Sequence, residues 1–318
     1  MPAPTANAEQ REIARSRSSR HASTNRPGAP GAGLLKIGPT CDCGLDGIDA
    51  WLSSPLRTVA LFQREWKKAN SFAFGLSILR TADFGSSHGA CAVSKYVLRL
   101  YTDQLQPGAV SAALAETERV IYIAYGDAVC RGHGFASSLA PNSVWQGRLG
   151  ITLTGGSKGV RLLRWELSTS EPRLLTGAGV TSVLTLAGEP SIEVGINYLM
   201  RCDRVDFPPG GVAFTHTHQG SGIRCLQAGR ICIETQSQKF WVEPGNAWFE
   251  TGHDPVFAQT RSDGPSHFVR VMILPQAIRG KSSIRYLKPE DVDKPKTQTY
   301  QVFTDEPIQL YPTEAQSH

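Results

Sequence analysis

Two stretches of the chain repeat each other at a fixed offset, and that offset restricts the fold more than any other feature. Val120-Ile121-Tyr122-Ile123-Ala124-Tyr125-Gly126 is followed by Pro141-Asn142-Ser143-Val144-Trp145. Ile223-Arg224-Cys225-Leu226-Gln227-Ala228-Gly229 is followed by Pro244-Gly245-Asn246-Ala247-Trp248. Gly126 and Gly229 stand 103 residues apart, and so do Trp145 and Trp248. Pro107-Gly108 answers to Pro209-Gly210. Downstream, Val160-Arg161-Leu162-Leu163-Arg164-Trp165 resembles Phe268-Val269-Arg270-Val271-Met272-Ile273, with small gaps. Anchors that recur in one order mark a duplicated supersecondary unit. The runs are short, rich in Val, Leu, Ile, Tyr and Phe, and separated by Pro-Gly, Gly-Gly and Asn-containing turns. That is the texture of an all-β sandwich or barrel. The expectation is two related β units, over residues 90–175 and 185–276.

The flanks are of other kinds. Residues 1–36 are rich in Ala, Ser, Pro and Arg without an apolar run, so burial cannot offset the entropy of ordering them. They are expected to form a disordered tail. A start rich in Arg and Ser also suits a transit peptide, although Glu9, Glu12 and the prolines count against one. Residues 37–89 form a lead-in. Its helix is expected near 55–69, where Ser54 precedes Pro55 and Leu56, Val59, Ala60 and Trp66 recur at helical spacing. Residues 277–318 mix basic and acidic side chains around short apolar pieces, which suggests a solvated arm packed across a barrel. Such an arm can also add to the sheet edge of another protomer, so a homo-oligomer is open.

Charge and cysteine content bound the function. The formal net charge is +5 over 318 residues. Residues 1–36 hold six basic residues against Glu9 and Glu12, so the tail accounts for +4 and the other 282 residues for +1. A body with so little excess offers no counterion-release footprint, which argues against a nucleic-acid partner. Seven cysteines without framework spacing fit a reducing compartment, hence a cytoplasmic location. Cys41 and Cys43 lack a second close pair and read as ordinary thiols. The uncharged stretch from Leu174 to Gly188 is too short and too glycine-rich to cross a bilayer, so no membrane partner is expected.

Chemistry concentrates in Phe214-Thr215-His216-Thr217-His218-Gln219-Gly220. On a strand, residues i and i+2 face the same side, so His216 and His218 project into one space, close enough to share a metal. Gly210, His216-x-His218, Gly229, Pro244-Gly245 and Trp248-Phe249-Glu250, in that order, resemble the cupin superfamily. The resemblance covers about 180 residues and is strongest from Phe207 to Pro275. It implies an all-β fold of two cupin-like antiparallel β-barrels, each a double-stranded β-helix, making a bicupin. It also implies a divalent metal, with Fe(II) favoured and Mn, Ni or Zn as alternatives, acting on a small-molecule substrate.

The match to that family has gaps. The glutamate slot of its first motif falls on Gly222 and the last histidine slot falls on Val256. Only His216 and His218 carry over as ligands. If the strand through Trp248 continues, Glu250 shares its face and can complete a set of two histidines and a carboxylate, the arrangement that suits Fe(II) and O₂. The other readings of Glu250 are an ion pair with Arg224 and a surface charge. Arg224, if free, suits an anionic substrate group, because its planar fork matches a carboxylate. His253, in the turn Thr251-Gly252-His253-Asp254-Pro255, is a further candidate ligand. Trp248 is expected to pack or to wall a pocket. In the first repeat the positions of His216, His218 and Glu250 are Ala113, Ala115 and Gly147, so that half is expected to carry no metal. His21, His88, His133, His267 and His318 default to surface histidines. The implied function is a metal-dependent enzyme, foremost an Fe(II) dioxygenase-type oxidoreductase acting on a small organic acid or aromatic compound. A non-catalytic small-molecule sensor, and a metal-dependent isomerase or lyase, are the alternatives.

Overall fold

The computed structural model describes residues 95–310, all within the unit Gly75–His318. The expected tail 1–36, the lead-in 37–89 with its helix near 55–69, Cys41, Cys43, His21, His88 and His318 lie outside the described residues. Among the described residues, regular structure is almost entirely antiparallel β. The first unit comprises β1 (Val97–Leu105), β2 (Glu118–Gly132), β3 (Phe135–Leu139), β4 (Val144–Gly147), β5 (Ile151–Ser168) and β6 (Val180–Gly188). They form one sheet in the order β3-β2-β5-β1-β6, with β4 on the other part of β2. The second unit comprises β7 (Tyr198–Phe207), β8 (Val212–His218), β9 (Gly222–Ala228), β10 (Ile231–Thr235), β11 (Gln238–Val242), β12 (Ala247–Glu250), β13 (Val256–Thr260) and β14 (Ser266–Pro275). β15 (Ile284–Tyr286) and β16 (Thr299–Pro307) complete it. Its two sheets run β12-β9-β14-β7-β16 and β11-β10-β13-β8-β15.

The 103-residue repeat is a repeat of topology. β2 and β5 are single strands of 15 and 18 residues that bend through the first unit. In the second unit β9 and β10 replace the one, and β13 and β14 replace the other. Gly126 and Gly229 sit at the equivalent bends with φ of 70° and 75°, backbone that L side chains rarely adopt. A Cβ on Gly126 would collide with the Gly159 carbonyl, and one on Gly229 with Ser266 and the Pro265 carbonyl. The turns before the two tryptophans are also superposable in their hydrogen bonds. Asn142 N–H donates to the Ile123 carbonyl at 2.8 Å, as Gly245 N–H does to Leu226 at 2.8 Å. Ile123 N–H donates to Ser143 and Leu226 N–H to Asn246, both at 3.0 Å.

Alternation along the central strands explains the core. In β7 the residues Tyr198, Met200 and Cys202 join Leu98, Leu100, Trp165, Ile223, Cys225, Val269, Val271 and Ile273 in one cluster, which seals the two units face to face. Of the opposite parity, Val205 and Phe207 line the interior of the second unit, and Asp203 pairs there with Arg270. The first unit has its own apolar interior of Leu114, Ile121, Ile123, Leu153 and Leu162. Among the described residues it has no counterpart of β8 beyond single bridges at Val110 and Leu114. The segment expected as a surface arm is instead part of both sheets of the second unit: β15 extends the sheet edge at β8, and β16 that at β7. Its registers with Thr217 and Asp203 bring side chains to the interior that no local pattern announces. No helix among the described residues is long and apolar enough to cross a membrane.

Candidate metal centre

Between the two sheets of the second unit lies a cavity of about 20 Å³, lined by His216, His218, Arg224, Trp248, Glu250, Arg270 and Tyr300 with an apolar remainder. That is room for one water or one ion. The histidines enter from β8 and the charged groups from the facing sheet, so the site is assembled across the sandwich. The pairing of β8 with β13 slips between Val256↔His216 and Ala258↔Ala213. This bulge turns Ala213 inward together with His216 and His218, although their numbers differ in parity.

Both imidazoles are buried and tied at one nitrogen. His216 Nδ1 lies 2.7 Å from the Phe214 carbonyl and His218 Nδ1 lies 3.1 Å from Ser283 Oγ. Their Nε2 atoms converge at 3.2 Å. Burial pushes the His216 pKa below the ordinary 6.5, against the pull of Glu250. Burial, with Arg224 and Arg270 nearby, pushes His218 well below it. Both rings are therefore neutral near pH 7, the form that ligates metals.

Glu250 stands directly across from Gly222 in the β12–β9 register. Gly222 cannot carry a side chain on that face, because a Cβ there would run into the Val271 carbonyl. A carboxylate thus reaches the cavity from the strand opposite this glycine. Trp248 Nε1 donates to Glu250 Oε1 at 2.7 Å, so the ring both packs against Phe268 and aims the carboxylate. Glu250 Oε2 is 2.6 Å from Arg224 Nη2 and 3.5 Å from His218 Nε2. Neither Oε2 nor Nη2 makes a well-aligned hydrogen bond. Arg224 is fully buried, donates to the Gly222 carbonyl at 2.7 Å, and is lowered by burial to about 10, so it stays charged at neutral pH. Next to it in the β14 register, Arg270 forms an ion pair with Asp203 at 2.6 Å. Tyr300 of β16 lies over the Arg270 guanidinium.

The structure therefore brings together His216, His218, Glu250, Arg224 and Trp248. Arg224 is not free for a substrate, since Glu250 occupies it. His253 is exposed on its turn and faces a separate cleft of about 260 Å³ that it shares with Glu193, Tyr198, His218 and Arg285. His267 lies on β14 and does not line the cavity. Sequence reasoning missed Asp203, Arg270, Ser283 and Tyr300 as site residues. Arg270 was within reach, since it shares the inward parity of Phe268. Ser283 and Tyr300 carry no local signal. The four described cysteines are free and buried, with Cys225 raised by burial to about 12, so none is a ready thiolate.

The groups around the cavity suit a divalent ion in spacing and anchoring. Two imidazole nitrogens bound to one ion at roughly 2.0–2.1 Å stand about 2.8–3.4 Å apart, depending on the coordination angle. The observed 3.2 Å meets this, and both Nδ1 atoms are anchored as ligating histidines require. Glu250 Oε2 is a buried acceptor without a well-aligned donor, which suits a third ligand. Among the described residues no group of three or more His, Cys, Asp or Glu is arranged to hold an ion, and Glu250 is paired with Arg224. The pair of histidines fits an ion, and the carboxylate fits once it exchanges Arg224 for the metal.

No family model matches the chain, and no curated protein matches it. Solved structures do. AerE from Microcystis aeruginosa is 11% identical with a TM-score of 0.44, over 57% of this chain and 88% of that one. A two-residue deletion mutant of Bacillus subtilis oxalate decarboxylase is 11% identical with a TM-score of 0.48, over 69% of this chain and 83% of that one. A further structure of the same decarboxylase, solved to study its Mn(II) centres, is 11% identical with a TM-score of 0.44, over 61% and 74%. At such scores the fold rests on the repeated strand register described above. The described chain is a tandem of two related antiparallel β units. Among the described residues, the cavity lined by two histidines lies in the second unit.

Proposed function

We propose that the second unit binds one divalent metal through His216 and His218, with Glu250 as the third ligand, and that the protein is a metal-dependent oxidoreductase. Fe(II) with O₂ is the favoured pair, and a small organic acid or aromatic compound the substrate class. The observation that carries this reading is the convergence of two neutral Nε2 atoms at 3.2 Å on an ion-sized cavity. Bound there, an ion supplies Lewis acidity, and iron adds one-electron chemistry. The residues of the chain do the rest. His216 and His218 are neutral rings, so neither needs a net loss of a proton to ligate. Trp248 holds Oε1 of Glu250 so that Oε2 faces the histidines. Arg224 compensates the carboxylate while the ligand set is incomplete, and Asp203 neutralises Arg270 beside it. Val205, Phe207, Ile233, Val256 and Phe268 exclude water, which strengthens every charge interaction inside.

The same smallness of the cavity favours a second reading, a non-catalytic bicupin that holds an ion or a very small ligand, since an organic acid does not fit without movement of the walls. Metal analysis of the purified protein, followed by O₂ consumption in a screen of aliphatic and aromatic acids, separates the two. Stoichiometric metal, lost in the His216→Ala, His218→Ala double variant, with acid-dependent O₂ uptake supports the oxidoreductase. Metal without O₂ uptake or other turnover supports the binding protein. Substrate conversion without O₂ uptake supports an isomerase or lyase on the same ligands. Metal content unchanged in the double variant sinks the site altogether.

A further inference from the structure

The hydrogen bonds around the two histidines determine where their protons sit. A carbonyl only accepts, so His216 Nδ1, 2.7 Å from the Phe214 oxygen, carries hydrogen, and in a neutral ring its Nε2 is bare. His218 Nε2, 3.2 Å away, must then be the donor of that pair, which leaves His218 Nδ1 bare. The remaining partner, Ser283 Oγ at 3.1 Å, donates to it. A chain of three hydrogen bonds runs from Ser283 through His218 and His216 to the backbone of Phe214, and every member is satisfied.

Ligation demands a different arrangement. Both Nε2 lone pairs are needed at once, so the His218 hydrogen has to sit on Nδ1, pointing at Ser283. We infer that Ser283 is the positioning residue that sets the tautomer of His218, donating to Nδ1 in the ion-free site and accepting from it when an ion is held. A hydroxyl serves both states because it rotates and is donor and acceptor alike. Its hydrogen has a second acceptor at hand in Met272 Sδ, 3.8 Å away. The exchange is a tautomer shift: one hydrogen leaves Nε2, one arrives at Nδ1 by way of water, and the charge of the ring is unchanged. Ser283 is only 3% exposed, and Gln219 N–H donates to its carbonyl at 3.0 Å, so the strand pairing that begins at β15 holds the hydroxyl in place. The ligand-holding half of this role rests on the metal reading above; the ion-free half does not.

Histidine side-chain ¹⁵N spectra of the ion-free, full-length protein test the first half. Wild type is expected to show His218 with hydrogen on Nε2. Ser283→Ala is expected to shift His218 toward a mixture of tautomers, and Ser283→Thr, which keeps the hydroxyl, to restore the wild-type pattern. Titration of the same three proteins with Mn²⁺ and Zn²⁺ tests the second. The alanine variant is expected to bind roughly 10–100-fold more weakly, with recovery in the threonine variant. Identical ¹⁵N patterns in wild type and Ser283→Ala overturn the inference. Affinity unchanged in the alanine variant overturns its second half. Failure of wild type to bind either ion, with the tautomer still responding to Ser283→Ala, sinks the metal reading and leaves the positioning role standing.

Discussion

Glu250 is the residue on which the proposed centre turns, because Arg224 and the proposed ion would compete for one carboxylate oxygen. Removing Arg224 leaves that carboxylate buried without a counter-charge, a change that costs about 3–5 kcal/mol. Arg224→Met is therefore expected to be destabilised by that order in the ion-free state and to regain much of it when Mn²⁺ or Fe²⁺ is added, as measured by urea denaturation with and without metal. No metal-dependent recovery would show that Glu250 does not reach the ion. The histidines give a second handle, through pH. Their folded pKa values lie below the ordinary 6.5, so in acid the unfolded chain binds protons that the folded chain refuses. Stability of the ion-free protein is thus complete above pH ~6.5 and is lost as the pH falls, by about 1.4 kcal/mol per pH unit for each histidine until its folded pKa is reached. Denaturation curves from pH 7 to 5 should show this slope, and the His216→Asn, His218→Asn double variant should lose it. Equal slopes in both proteins would contradict neutral burial.

At the scale of elements, the corner glycines and the C-terminal strands decide the shape of the cavity. Gly229 lets the chain pass from β9 to β10, and so from the arginine-bearing sheet to the facing one. Gly229→Ala imposes a Cβ at φ of 75° against Ser266 and the Pro265 carbonyl. A loss of about 1–3 kcal/mol follows from the backbone strain alone, with more from the clash. Thermal unfolding measures it, and a wild-type Tm would refute the corner argument. The matching bend at Gly126 makes the same demand in the first unit, away from the cavity of His216 and His218, so this repeated glycine serves the fold. Strand β15 has the opposite standing. It is three residues long, at a sheet edge, yet it lines the centre with Ile284 and carries Ser283 in beside it. Entry of any organic substrate into a 20 Å³ cavity requires such an edge element to give way.

For the whole molecule, the decisive surface is the one between the two units. Leu98, Leu100 and Trp165 of one meet Met200, Val269 and Ile273 of the other, all at most 2% exposed. Neither unit can present that face to water, so calorimetry of the full chain is expected to show one cooperative transition for both. Met200→Ala should lower it as a whole, by about 2–5 kcal/mol. Two separated transitions would mean that the units are independent. The sequence alone determined a good deal of this. Period-two alternation, the 103-residue offset and the paired glycines specify two related β units, because strand parity and backbone handedness are local properties. His216-x-His218 was legible for the same reason, as was the face shared by Trp248 and Glu250. Tertiary structure alone decided that Glu250 lies against Arg224, so that Arg224 is engaged rather than free, and that His253 does not line the cavity. It alone brought Asp203, Arg270, Ser283 and Tyr300 to the histidines, from strands that pair across gaps of up to about 100 residues. Register between distant strands is set by packing of the assembled core, and no window of sequence contains that information.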